Sequence, residues 1–70
     1  MAFGLGERVV MAEDWRALDP SRTLRAAKGE AGTVRGFWPN PKGGDPMLYA
    51  IELDRGSGLT VQSFEIEPEP

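Results

Sequence analysis

Seven side chains stand out as able to do chemistry on a partner: Trp15, Phe37 and Trp38, and the cations Arg22, Arg25, Lys28 and Arg35. Flat aromatic rings dock apolar or polyproline-like segments with little loss of side-chain entropy. Guanidinium and ammonium groups select carboxylates or phosphates, and across an interface they mostly raise the association rate and set orientation. Reaction chemistry is poorly provided for. The sequence holds no Cys and no His, which removes disulfides, thiolate nucleophiles, the commonest general base and the commonest transition-metal ligand. The carboxylates, lysines and hydroxyls that remain fall at no spacing that suggests a catalytic site. The expectation is a protein that is not an enzyme, with no cofactor and no metal.

Each candidate also has a purely structural alternative. Trp15 would plug its own loop, and Phe37 would pack beneath Trp38, whose proline-rich neighbours leave little to cover it. The four cations would be ordinary solvated surface. Tyr49 reads as core. The glycines of Lys42-Gly43-Gly44-Asp45 lack the strand–loop–helix setting that a phosphate cradle needs.

Net charge is −3 over 70 residues, unevenly spread. Residues 15–42 hold Arg16, Arg22, Arg25, Lys28, Arg35 and Lys42 against Asp19 and Glu30, an excess of four positive charges. The remainder holds nine acids against Arg8 and Arg55. Affinity for nucleic acid rests on neutralising phosphates, so the acidic total argues against broad nucleic-acid binding. The basic sector suits a protein partner with an acidic face. The first five residues are too short and glycine-rich for a secretory leader, and no apolar run approaches the roughly 20 residues that span a bilayer. A cytoplasmic location is expected, away from membranes.

The elements that must position these side chains read as short strands. Residues 6–11 form the first, with Val9 and Met11 on one face and Val10 on the other. Residues 12–28 lack strand character: 13–18 would make a helical turn broken by Asp19 and Pro20, and 21–28 a second with Ser21 as N-cap. Trp15, Leu18 and Leu24 would pin this excursion. Gly29 and Gly32 open the second strand, 31–37, with Val34 inward, Thr33, Arg35 and Phe37 on the opposite face, and Gly36 admitting a close neighbour. Residues 38–46, with three prolines and two glycines, make an exposed loop. Residues 47–53 alternate with Tyr49, Ile51 and Leu53 inward. A hairpin loop at 54–58 leads to a fourth strand, 59–62, with Leu59 and Val61 inward. A tight turn at 63–65 precedes a short strand around Ile66, and 67–70 form a frayed tail. The reading is one all-β domain over 1–70, a small five-stranded SH3-like barrel with one long ordered loop after the first strand.

The frame Gly6-Glu7-Arg8-Val9, a long gap, residues 28–34 (KGEAGTV), then 48–53 (LYAIEL) and Phe64-Glu65-Ile66-Glu67 resembles one group of SH3-like barrels. That group comprises the variable chain of ferredoxin–thioredoxin reductase, the small barrel subunit of photosystem I and the C-terminal barrel of the nitrile hydratase β chain. Residues 22–29 are similar, in their spacing of basic residues, to the loop before the second strand in nitrile hydratase β chains. Leu24 and Ala26 stand where that loop has a proline and an aromatic, and the helical part of the β chain has no counterpart in these residues. Nitrile hydratase activity is therefore not implied. The resemblance implies an accessory subunit that docks on an enzyme or electron carrier. Gly29-x-x-Gly32-x-Val34 also looks like a KOW motif, although 17 residues separate it from the first strand.

The expected function is a non-catalytic protein–protein interaction module, an accessory or adaptor barrel on a larger enzyme or electron-transfer partner. The alternative is a KOW-like nucleic-acid or ribosome-associated barrel, with the four cations on phosphates and Trp38 stacking a base. A third reading is a homo-oligomer completed through a sheet edge.

Overall fold

The computed structural model describes residues 3–17 and 20–70. In chain order the strands are β1 (Arg8–Met11), β2 (Trp15–Arg16), β3 (Leu24–Ala26), β4 (Ala31–Trp38), β5 (Leu48–Leu53), β6 (Gly58–Gln62) and β7 (Ile66–Pro68), with a 3-10 turn at Ser63–Glu65 before β7. The described residues contain no α-helix, and so no helix long and apolar enough to cross a membrane. Five strands form an antiparallel sheet in the order β6-β5-β4-β1-β7, and β2 pairs with β3 in a separate two-stranded sheet.

Period-two alternation explains most of the core. Val9 and Met11 of β1, Val34 of β4, Tyr49, Ile51 and Leu53 of β5, Val61 of β6 and Ile66 of β7 are buried in one cluster. Leu59 packs against it half-buried. Phe3, which no strand pattern marks, joins the same cluster. Its ring meets Tyr49 edge-on at 5.4 Å between centroids. Its backbone N–H donates to the Tyr49 hydroxyl at 3.1 Å, which gives that buried phenol a partner.

In the connection after β1, Trp15–Arg16 and Leu24–Ala26 are strands where helical turns were expected. Neither segment is long enough to sustain a helix alone, whereas pairing β2 with β3 satisfies backbone groups of both. Trp15 lies opposite Ala26, and the Ala17 N–H donates to the Thr23 carbonyl at 2.9 Å. The Ser21 hydroxyl is 2.7 Å from that of Thr23 and caps no helix. Arg22 takes a left-handed backbone conformation, φ 53°, in the connection between the two strands. Trp15 packs against the core, but Leu24 does not pin the loop as expected, being 44% exposed. Leu18 and Asp19 lie outside the described residues.

The strand expected to end at Phe37 runs to Trp38, which pairs with Leu48. The Met47 N–H donates to the Trp38 carbonyl at 3.3 Å and closes the exposed loop between them. The ladder between β4 and β5 slips by one residue between Val34 and Gly36, leaving Arg35 as the extra residue of a bulge. The slip reverses the alternation beyond it. Phe37 now lies opposite Tyr49, on the core side of the sheet, where simple alternation put it on the other face. Its ring sits 6.5 Å from that of Tyr49.

The close backbone approach expected at Gly36 occurs at Gly32 instead. A Cβ there would fall 2.8 Å from the Glu52 carbonyl oxygen, whereas at Gly36 the nearest atom would be the Ala50 Cβ at 3.8 Å. Gly29 takes φ +87° in the turn that enters β4, a conformation that costs glycine little.

Residues 67–70 are not simply frayed. Glu67 and Pro68 belong to β7 and pair with Val10 and Val9, and the Glu69 N–H donates to the Arg8 carbonyl at 3.2 Å. The Arg8 guanidinium grips both carboxylate oxygens of Asp54 at 2.6 and 2.7 Å and both of Glu69 at 3.1 and 3.5 Å. These hydrogen bonds hold the Asp54 carboxyl below its ordinary pKa. A closed five-stranded barrel is not formed: the sheet is open, with β6 and β7 as its two edges.

Candidate functional site

Two of the candidate residues, Trp15 and Arg25, meet in the space between the β2–β3 hairpin and β6. A cleft of about 570 Å³ is lined there by Trp15, Leu24 and Arg25 from the hairpin and by Arg55, Leu59 and Thr60 opposite. A second cleft, of about 400 Å³, lies on the other side of Trp15, between Arg16, Arg22, Thr60 and Gln62. A third, of about 520 Å³, runs over the outer sheet face past Arg35, Glu52 and Thr60. Thr60 borders all three, and Trp15 divides the first from the second.

Local sequence explains the arrangement. Trp15 and Ala26 are paired residues on one face of the hairpin, and both turn toward the core. That leaves the Trp15 ring half-buried at the floor of the groove. Arg25, next to Ala26, is the unpaired residue where the register slips between the Trp15–Ala26 and Arg16–Leu24 pairs, and it is exposed. On β6 the inward Leu59 and Val61 leave Thr60 on the outer side. The Leu53 N–H donates to the Ser57 carbonyl at 2.8 Å, and the register runs from that pair through Ile51–Leu59 and Tyr49–Val61. Bonded pairs alternate along an antiparallel ladder, so the backbone groups of Gly58 and Thr60 aim away from β5.

The seven residues expected to meet a partner do not form one patch. Trp15 and Arg25 share the largest cleft, Arg22 lines the second and Arg35 the third. Arg35 is held in an ion pair with Glu52 at 3.0 Å. The backbone N–H of Lys28 donates to Asp14 at 2.8 Å in a turn that lines none of these clefts. Phe37 and Trp38, 43% and 50% exposed, lie at the far end of β4. They border none of the three clefts, so the expected groove of Trp15, Phe37 and Trp38 is not assembled.

Within the largest cleft the lining side chains include two cations, Arg25 and Arg55, and no carboxylate. Arg55 pairs with Glu30 at 2.6 Å and also donates to the Arg25 carbonyl. The Arg25 guanidinium has no hydrogen bond or ion pair among the described residues, and so is available to a ligand. Leu24, Arg55, Leu59 and Thr60 were not singled out from the sequence as site residues. Their signal was nonetheless present: residues 58–62 form a strand with neither charge nor proline, directly after a glycine-rich turn. Natural sheets seldom leave such an edge without protection.

Comparison of the chain with protein-family models, characterised proteins and solved structures returns no match.

Proposed function

We propose that the protein is a non-catalytic interaction module of SH3-like architecture that binds an extended segment of a partner protein in the cleft between the β2–β3 hairpin and β6. The observation that carries this reading is the Trp15 cleft. It combines a half-buried indole, an exposed Leu24, a half-buried Leu59 and an unpaired cation beside a sheet edge whose backbone is unpaired on one side. The strand order supports the architecture. A meander of β4, β5 and β6 continues through β1 to a last strand entered by a 3-10 turn, with a hairpin inserted after β1. That is the arrangement an SH3-like frame requires, drawn open. The sequence resemblance adds a partner class, a larger enzyme or electron carrier on which the module serves as an accessory subunit.

The nucleic-acid alternative has weaker support. The cations divide among separate clefts, Arg35 is neutralised by Glu52, and Trp38 lies away from them. Stacking on an aromatic next to a continuous cationic track is what single-strand binding needs.

Titration of isotope-labelled protein with acidic, basic and proline-rich extended peptides tests the reading by nuclear magnetic resonance. At least one class is expected to shift the signals of Trp15, Leu24, Leu59 and Thr60 in a saturable way, and Leu24→Glu, an exposed substitution, to weaken it. A panel that leaves these signals unmoved, or that moves only Phe37 and Trp38, removes the proposal.

A further inference from the structure

The two edges of the five-stranded sheet are treated differently. On the β7 side the chain reads Glu67-Pro68-Glu69-Pro70. Proline has no N–H to offer a neighbouring strand, and like charges along an edge repel acidic newcomers. On the β6 side Gly58-Leu59-Thr60-Val61-Gln62 has no proline and no charge. The Gln62 N–H is already taken by the Glu65 carboxylate at 2.7 Å. Gly58 and Thr60 remain, with N–H and C=O groups directed into the space beside the hairpin. The β2–β3 sheet does not pair with that edge.

Resting on the reading of this cleft as a protein-binding site, we propose that β6 accepts an extended acidic segment of a partner protein as an additional strand. Its backbone would pair with Gly58 and Thr60. Strands added in this way take affinity from main-chain hydrogen bonds and specificity from alternate side chains. Side chains on the inner face of the added strand meet Trp15, Leu24 and Leu59, which sets a requirement for apolar residues at every second position. The acidic preference follows from charge: the lining carries no carboxylate, Arg55 is already paired with Glu30, and Arg25 is left without a partner, on a chain whose net charge is −3. An acidic segment is therefore steered to this cleft and repelled by much of the remaining surface. The partner signature is a short run alternating acidic and apolar residues. One unpaired cation at this cleft is too few to hold a nucleic-acid backbone against that overall charge.

The experiment uses the full chain, isotope-labelled, and a synthetic peptide that alternates Glu and Val over seven residues. Its controls are the Lys-for-Glu counterpart, a version N-methylated on alternate backbone nitrogens, and a single-stranded RNA oligonucleotide. Saturable binding of the Glu peptide is expected, with amide exchange at Gly58 and Thr60 slowed by about tenfold or more as hydrogen bonds form. Arg25→Glu, judged folded by its fingerprint spectrum, should weaken binding by about tenfold. The Lys and N-methylated peptides should fail. Binding that shifts Trp15 and Leu24 without protecting Thr60 overturns strand addition but keeps the protein-binding cleft. Equal binding of the Lys peptide overturns the acidic specificity. No peptide binding at all overturns both readings, and binding of RNA alone transfers the surface to the nucleic-acid class.

Discussion

At the scale of single residues, two glycines four positions apart in one strand make opposite demands. Gly32 leaves no room for a Cβ because the Glu52 carbonyl would stand 2.8 Å from it, and that oxygen is part of the paired backbone. Gly36 meets only the Ala50 Cβ at 3.8 Å, an ordinary contact. Gly32→Ala is therefore expected to cost about 1–3 kcal/mol through forced separation of β4 and β5. Gly36→Ala should change stability by less than about 1 kcal/mol, because alanine loses less conformational freedom on folding than glycine. Urea denaturation of the two variants checks this, and equal losses would refute the distinction. The hydroxyl of Tyr49 makes a similar small claim. Tyr49→Phe removes the acceptor for the buried Phe3 N–H, at an expected cost of about 1–3 kcal/mol by the same measurement.

At the scale of elements, the β2–β3 hairpin is the part whose existence depends on something other than itself. A two-stranded ribbon is marginal in isolation, and this one has strands of two and three residues. Trp15 and Ala26 fasten it to the core. Trp15→Ala should free the hairpin while the five-stranded sheet persists. Amide exchange is expected to speed up at Ala17, whose N–H is bonded to Thr23, with little change at Val34 and Ile51. Uniform loss of protection would mean that the indole holds the whole fold. The bulge at Arg35 shows why the element was only partly legible beforehand. Alternation correctly identified Val34, Tyr49, Ile51, Leu53 and Val61 as inward, because one face of the sheet is buried along these positions. It could not register an inserted residue, whose effect on Phe37 and Trp38 depends on pairing with β5.

At the scale of the whole molecule, Arg8 ties together segments distant in sequence. From β1 it reaches Asp54 after β5, Glu69 beyond β7 and the Thr33 hydroxyl on β4, the last at 3.0 Å. Because the Asp54 carboxyl is held below its ordinary pKa by hydrogen bonds from Arg8, its contribution to stability is fully present above the unfolded carboxylate range. That contribution fades as the pH falls from there through the folded-state value. The stability advantage of the natural protein over Asp54→Asn should therefore be largest near neutrality and shrink on acidification. Denaturation midpoints measured across a pH series test this, and a gap independent of pH would contradict it. Both carboxylates and the guanidinium are partly exposed, so added salt should also narrow the gap.

The sequence by itself determined an all-β chain, the inward residues of its longer strands, the turns before β6 and β7, and an uneven spread of charge along the chain. These features follow from side-chain type and a two-residue period, which are local properties. Tertiary structure alone decided that the connection after β1 is a hairpin, that Gly32 and not Gly36 is the tight contact, that the tail pairs with β1, and that the sheet stays open. It also separated Trp38 from Trp15 and placed Trp15 against the edge of β6. Such outcomes are set by which distant backbone groups become neighbours. Hydrogen-bond satisfaction and steric fit between remote segments have no counterpart in a local pattern of residues.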